Sequence, residues 1–195
     1  MQMQDIFLDM IIAPSFNDDA LNLLSKKKNL ILLEVGSIRN ASPSPAQLRA
    51  IRGGILIQDA DEVCDDPASW KVAGEIEPPT ALMSDALFGW KVVKHMHSNA
   101  IAVVKDGQTL GLGMGQVNRV DAAHIALQQA GEKAKGAVLT SDAMLPFDDT
   151  VKLASQYGVA LIVQTGGSIR DDEVIKCADK NAIAMLFTGV RHFKH

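Results

Sequence analysis

The sequence predicts an α/β protein built on a mainly parallel or mixed sheet, and three observations carry that expectation. From Leu82 onward, stretches of helical periodicity alternate with short, apolar, β-rich runs. Acids and glycines stand where the helices of that series should begin and end. The chain has 195 residues, 47% of them hydrophobic, enough to bury a core in roughly one or two domains.

The larger part opens with a helix over "ALMSDALFGWKVVKHM", where Met83, Leu87, Trp90 and Val93 recur at helical spacing. "AIAVVK" is a strand, Asp106 and Gly107 turn the chain, and "TLGLGMG" is the returning strand. The helix "RVDAAHIALQQAGEKA" ends near Gly136, and "AVLTSD" follows as a strand. "DDTVKLASQYG" is a short helix with acids in its first turn and a glycine past its end. "VALIVQT", the helix "DDEVIKCADKN" and the strand "IAMLFTG" complete five strands and four helices.

The preceding residues are less regular. "FLDMIIA" and "LILLEV" are strands around the helix "DDALNLLSKK", and an irregular stretch from Ser37 to Pro79 encloses one more strand, "GGILIQ". "ASPSPAQ" is a loop, because its two prolines cannot donate to a ladder. The expected division is a smaller α/β segment over residues 1–79 and a main lobe over 80–195.

The net charge of -4 argues against a nucleic-acid-binding domain, while leaving room for local basic sites facing an anionic small molecule. Cys64 and Cys177 form neither a CxxC pair nor a metal-ligand spacing, which fits a reducing, cytoplasmic setting. No apolar run reaches the roughly 20 residues that span a bilayer, and no signal peptide is expected.

Several stretches carry candidate chemistry. In "GGSIRDD", Ser168 precedes Asp171 by nearly the spacing of a capping box, so a capped loop is favoured over a phosphate cradle, which Asp171 and Asp172 would repel. "GLGMGQ" lacks the dinucleotide spacing, and its glycines suit close approach of a ligand or another backbone. His95 and His97 face different ways on a helix and read as a solvated helix end; His124 reads as a partly buried histidine.

"SDAMLPFDD" gathers Ser141, Asp142, Pro146, Phe147 and Asp149 at the carboxyl end of a strand, where α/β sheets bind ligands. Helix capping by Asp148 or Asp149 is the alternative, and both stay open. The chain closes on "TGVRHFKH", either a basic tail or a strand in which Arg191 and Phe193 share a face suited to a planar, phosphorylated ligand.

In order and spacing, "SNAIAVVKDGQTLGLGMGQVNRV", "SDAMLPFDD", "GGSIRDDEVI" and "TGVRHFKH" resemble the carboxyl-terminal part of AICAR transformylase. That is the formyltransferase portion of the bifunctional enzyme that also carries IMP cyclohydrolase. "IIAPSFNDDALNLLSKKKNLILLEV" and "RGGILIQDADE" extend the resemblance over nearly the whole chain. It implies a cytidine-deaminase-like, three-layer α/β/α lobe over 80–195, with a connecting α/β segment of the formyltransferase region before it. It also implies formyl transfer from 10-formyltetrahydrofolate to AICAR, a cytoplasmic homo-oligomer, and a small-molecule substrate with neither nucleic acid nor membrane as partner.

Position by position, the resemblance puts Asn99 near the formyl transfer site and Arg191 on the AICAR phosphate, with Phe193 and His195 beside it. Val120, Pro146, Phe147 and Asp149 match the folate pocket. Ser98 and Asp142 match ligands of a monovalent cation such as potassium (K+). No zinc is expected, since "RVDAAHIA" and "TSDAMLPF" stand where zinc deaminases have their H-x-E helix and P-C-x-x-C loop. Met144 and Leu145 replace two phenylalanines usual in relatives. The family's lysine–histidine pair, in an S-x-K-H-V-x-P-like motif of the first lobe, is not in this chain. The resemblance therefore implies a separate first lobe or cyclohydrolase chain as partner, or else a non-catalytic module binding a purine nucleotide or folate.

Overall fold

The computed structural model describes residues 6–37, 46–63 and 66–194. His195 and Cys64 lie outside the described residues. Chain contacts divide the protein into two compact units, Met1–Glu62 and Val63–His195.

In the first unit, β1 (Met10–Ala13) pairs in parallel with β2 (Ile31–Glu34) through α1 (Asp18–Leu24). Asn17 caps α1, its side chain accepting from Ala20 N–H at 2.8 Å, and Asp18 and Asp19 complement the dipole. β3 (Ala46–Ile51) and β4 (Gly54–Asp59) form an antiparallel hairpin across Arg52–Gly53, where Gly53 takes φ +84°. The sequence pattern predicts β4 alone here with "ASPSPAQ" as a loop, whereas β3 already includes Ala46 and Gln47. β3 begins at Ala46, beyond both prolines of the sequence "ASPSPAQ", and its pairing with β4 supplies what a weakly apolar run lacks.

The second unit runs β5 (Lys71–Val72), α2 (Met83–His95), β6 (Ile101–Lys105), β7 (Gln108–Gly113), α3 (Arg119–Ala130), β8 (Val138–Ser141), α4 (Asp149–Gln156), β9 (Leu161–Gln164), α5 (Asp171–Lys180) and β10 (Ala184–Phe187). The five strands and four helices expected after residue 80 are all present, and β5, from the segment before them, joins the same sheet. The sheet order is β5-β10-β9-β8-β6-β7. β8, β9 and β10 are parallel, whereas β6 runs antiparallel to both β7 and β8.

Alternate residues of the central strands bury on opposite faces, as the two-residue period of a strand requires. Ile101, Val103, Leu139, Ile162 and Met185 pack with α3, α4 and α5, whereas Ala102, Val104, Val138, Leu161 and Val163 pack with α2. This is a three-layer α/β/α lobe, with a smaller α/β segment before it in the chain. The parallel strand–helix–strand order of β1–α1–β2 recurs in β9–α5–β10.

Two contacts fix the cleft-bearing edge of the sheet. Asp85 of α2 accepts from Asp106 N–H and Gly107 N–H, each at 2.8 Å, and both turn residues have positive φ, as a tight hairpin turn requires. The glycines of "GLGMG" clear a backbone: a Cβ on Gly113 would stand 1.9 Å from the Ala122 carbonyl oxygen, and one on Gly111 1.8 Å from that of Ala126. Gly113→Ala is therefore expected to force β7 and α3 apart and to destabilise the lobe by about 3 kcal/mol or more. Urea unfolding measures it; an unchanged midpoint would show that the two elements separate freely.

Candidate functional site

The carboxyl ends of β7, β8 and β10, with the amino end of the antiparallel β6, surround a cleft of about 570 Å³. That is a ligand-sized volume, roughly 300–1,000 Å³ being usual. Asn99, Val120, Pro146, Phe147, Asp149 and Phe193 all line it, together with Asn118, Arg119 and Met144.

Arg119 organises the floor and was not singled out by the sequence. Asn118 caps α3 by accepting from Asp121 N–H at 2.8 Å, which sets Arg119 in the first helical turn. Its guanidinium is only 8% exposed as a residue and donates three ways: from Nη1 to Ser141 Oγ at 3.0 Å and to Asp142 Oδ1, and from Nη2 to Asn99 Oδ1 at 2.8 Å. Asn99 Nδ2 donates to the carbonyls of Gln116 at 2.9 Å and Val117 at 3.1 Å. The one available signal was a cation in the first turn of a helix, where the dipole disfavours it.

Asp142 is fully buried. Its Oδ1 also accepts from Ala100 N–H at 3.2 Å, while Oδ2 has no hydrogen-bond partner among the described residues. Ser98 Oγ accepts from Lys194 N–H at 3.3 Å. Among the described residues no three His, Cys, Asp or Glu side chains converge as a metal cluster. A buried carboxylate oxygen with unused lone pairs is the kind of atom a monovalent cation would satisfy.

At "SDAMLPFDD" Asp148 is the N-cap of α4 but makes no side-chain capping bond. Asp149 Oδ1 accepts from Thr150 N–H at 2.7 Å in the first turn of α4 and the residue lines the cleft, whereas Asp148 pairs with Lys152 at 2.8 Å. That hydrogen bond to Asp148 raises the Lys152 pKa. Burial, and then the Asp148 carboxylate, push the Cys177 thiol up. Leu145 is buried in the core and only Met144 reaches the cleft, so one of the two replaced aromatics bears on the site.

The closing segment is anchored rather than loose. His192 N–H donates to the Asp142 carbonyl at 2.9 Å, its ring lies 4.8 Å from Trp90, and Ser98 N–H donates to the Lys194 carbonyl at 2.9 Å. Arg191 is exposed and stacks 5.0 Å over Phe193, outside the cleft lining proper. "GGSIRDD" closes on itself: Asp171 accepts from Gly167 N–H at 2.7 Å and Ser168 N–H at 3.1 Å, and Ser168 Oγ accepts from Arg170 N–H. Gly167, Ser168 and Arg170 N–H are thereby taken, while Arg170, the N-cap of α5, makes no side-chain capping bond. Arg170 lies 4.9 Å over the Phe147 ring. His95 and His97 are exposed at the end of α2; His124, expected partly buried, is exposed as well.

The fold and the cleft define an α/β protein with a small-molecule-sized site at the strand ends of a mixed sheet. A model of the family described as the AICARFT/IMPCHase bienzyme matches residues 1–129, and the chain belongs to that family. Bifunctional purine biosynthesis protein PurH of Prochlorococcus marinus (strain NATL1A) is 50% identical over 194 residues, covering 100% of this chain and 38% of that protein. The protein of the same name from Listeria monocytogenes serotype 4b (strain CLIP80459) is 52% identical over 196 residues, covering 99% of this chain and 38% of its own length. The chain thus spans well under half the length of these curated relatives.

Solved structures give weaker likenesses. A dCMP deaminase of cyanophage S-TIM5 aligns with 56% of this chain and 98% of its own at 15% identity and a TM-score of 0.40. Acinetobacter baumannii RibD aligns with 54% and 34% at 19% identity and a TM-score of 0.37. Scores this low carry no argument about function. Among the described residues no helix is long and apolar enough to cross a membrane.

Proposed function

We propose that this chain forms the carboxyl-terminal half of an AICAR transformylase site, in which a formyl group passes from N10 of 10-formyltetrahydrofolate to the 5-amino group of AICAR. The observation that supports the reading is that Asn99, Val120, Pro146, Phe147, Asp149 and Phe193 line one cleft although they come from four separate segments of the chain.

In this reading Val120, Pro146 and Phe147 wall the folate ring system, and the Asp149 carboxylate accepts from pterin N–H groups. Phe193 stacks on the imidazole, and Arg191 pairs with the 5′-phosphate, as a guanidinium fork suits. His195 has the same substrate-side role. Asn99 holds the attacking amine. The C–N bond to the formyl carbon forms as the bond to N10 breaks, and the amine's proton passes to N10. Ser98 and Asp142 would hold a monovalent cation, which when bound supplies positive charge beside Asp142 Oδ2.

The rest of the site, including the lysine–histidine pair, would come from a first lobe, and the assembly would be a cytoplasmic homo-oligomer. The exposed face of the β3–β4 hairpin, with Leu48 paired to Ile57 and Ile55 beside them, supports a covering partner. A non-catalytic module binding a purine nucleotide or folate is the second reading, favoured by a cleft whose lining holds no histidine or lysine among the described residues.

Calorimetric titration tests the site. Arg191→Ala is expected to weaken AICAR binding roughly 10- to 100-fold, the worth of a charge-assisted contact, with the reduced folate unaffected. Equal AICAR affinity in wild type and variant would remove Arg191 from the phosphate site.

A further inference from the structure

We propose that Arg119 is a positioning residue that locks the Asn99 amide so that this side chain can only accept an N–H from the nucleotide substrate and cannot donate to it. The chemistry of the partners dictates the amide's orientation. A guanidinium has donors alone, so the atom facing Arg119 Nη2 at 2.8 Å must be Oδ1. Backbone carbonyls only accept, so the atom facing Gln116 and Val117 must be Nδ2. Both amide hydrogens are then used, and the hydrogen-bonding capacity left to Asn99 is the second lone pair of Oδ1.

Arg119 is itself held on the other side. Its Nη1 donates to Asp142 Oδ1 and to Ser141 Oγ, which in turn donates to the Ala143 carbonyl at 2.7 Å. Asp142 is tied to the main chain through Ala100 N–H, and its carbonyl receives His192 N–H. The guanidinium is thus fixed by strand β8 and the two segments beside it, and it transmits that position to Asn99. A lysine would keep the charge next to Asp142, but a single ammonium lacks the planar fork that reaches both partners.

The identity of the N–H donor, the amine of an aminoimidazole carboxamide nucleotide, rests on the transformylase reading; the positioning itself does not. Two measurements separate them. In ¹H–¹⁵N spectra the Asn99 side-chain amide of the wild type is expected to exchange slowly with solvent, and Arg119→Lys to abolish that protection with the backbone spectrum otherwise retained. In calorimetry the wild type is expected to favour AICAR about tenfold over an analogue lacking the 5-amino group, the worth of one hydrogen bond. The ratio should fall to near one in Arg119→Lys. It should also be near one in Arg119→Ala and be restored there by added guanidinium ion.

A merely structural arginine would weaken both nucleotides together and leave the ratio unchanged, which overturns the proposal, as does an amide that stays protected in Arg119→Lys. If Arg119→Ala does not fold, the lysine variant decides alone. Wild type that binds neither nucleotide overturns the transformylase reading and with it the assignment of the donor, and the amide measurement then decides the positioning.

Discussion

Assayed by itself, the chain is expected to transfer formyl groups about 10²–10⁴-fold more slowly than the same chain supplied with a first lobe carrying the lysine–histidine pair. The amine of AICAR is conjugated to a carboxamide and is weakly nucleophilic, so attack needs a proton removed as the new bond forms. Among the described residues, the groups that line the cleft do not serve. Asn99 and Arg119 are held in hydrogen bonds to one another, and Asp149 accepts a backbone N–H. His95, His97 and His124 are exposed and none of them lines the cleft, while His192 is buried against Trp90. The measurement is a formyl-transfer assay with and without the added lobe. Turnover by the chain alone near 1 s⁻¹, an ordinary enzyme rate, would sink the expectation and require a base among this chain's own residues.

Asp142→Ala is expected to destabilise the second unit by about 3–5 kcal/mol, because it leaves the Arg119 guanidinium buried without its counter-charge. It also strips Ala100 N–H of its acceptor. The effect comes from breaking the pair rather than from any large net worth of the pair, since two buried ions give up most of their attraction in desolvation. Arg119→Met combined with Asp142→Leu should accordingly be less destabilising than Asp142→Ala alone. Urea unfolding of the three proteins decides it. A single variant within about 1 kcal/mol of wild type would show the guanidinium escaping to water at little penalty.

Element type and order in the second unit were legible because the physics there is local. β6, β8, β9 and β10 are buried on both faces and so read as near-continuous apolar runs, and α4 and α5 carry their acids in the first turn. The Asp106–Gly107 turn was legible for the same reason, since few other residue pairs tolerate positive φ twice in succession. β3 and β5 were not. A two-residue strand such as Lys71–Val72 has no pattern of its own and exists through its pairing with Leu186 and Phe187, more than 100 residues away.

The site divides along the same line. By itself the sequence determined the family, the strand ends that carry ligand-binding residue types, and an acid-rich loop at "GGSIRDD". Only the tertiary structure decided that Asp171 takes the Gly167 and Ser168 amides while Ser168 takes that of Arg170, that Leu145 faces the core while Met144 faces the cleft, and that His192 is pinned beside Asp142. It alone joined Asn99, Arg119 and Asp142 into one network, across separations of 20 and 23 residues. Hydrogen-bond donors and acceptors carry no mark in the sequence of whom they will meet. Which lone pair of Asn99 remains for a substrate is settled by three-dimensional neighbours, since the Arg119 donor demands an acceptor and the Gln116 and Val117 carbonyls demand a donor, which leaves a single arrangement.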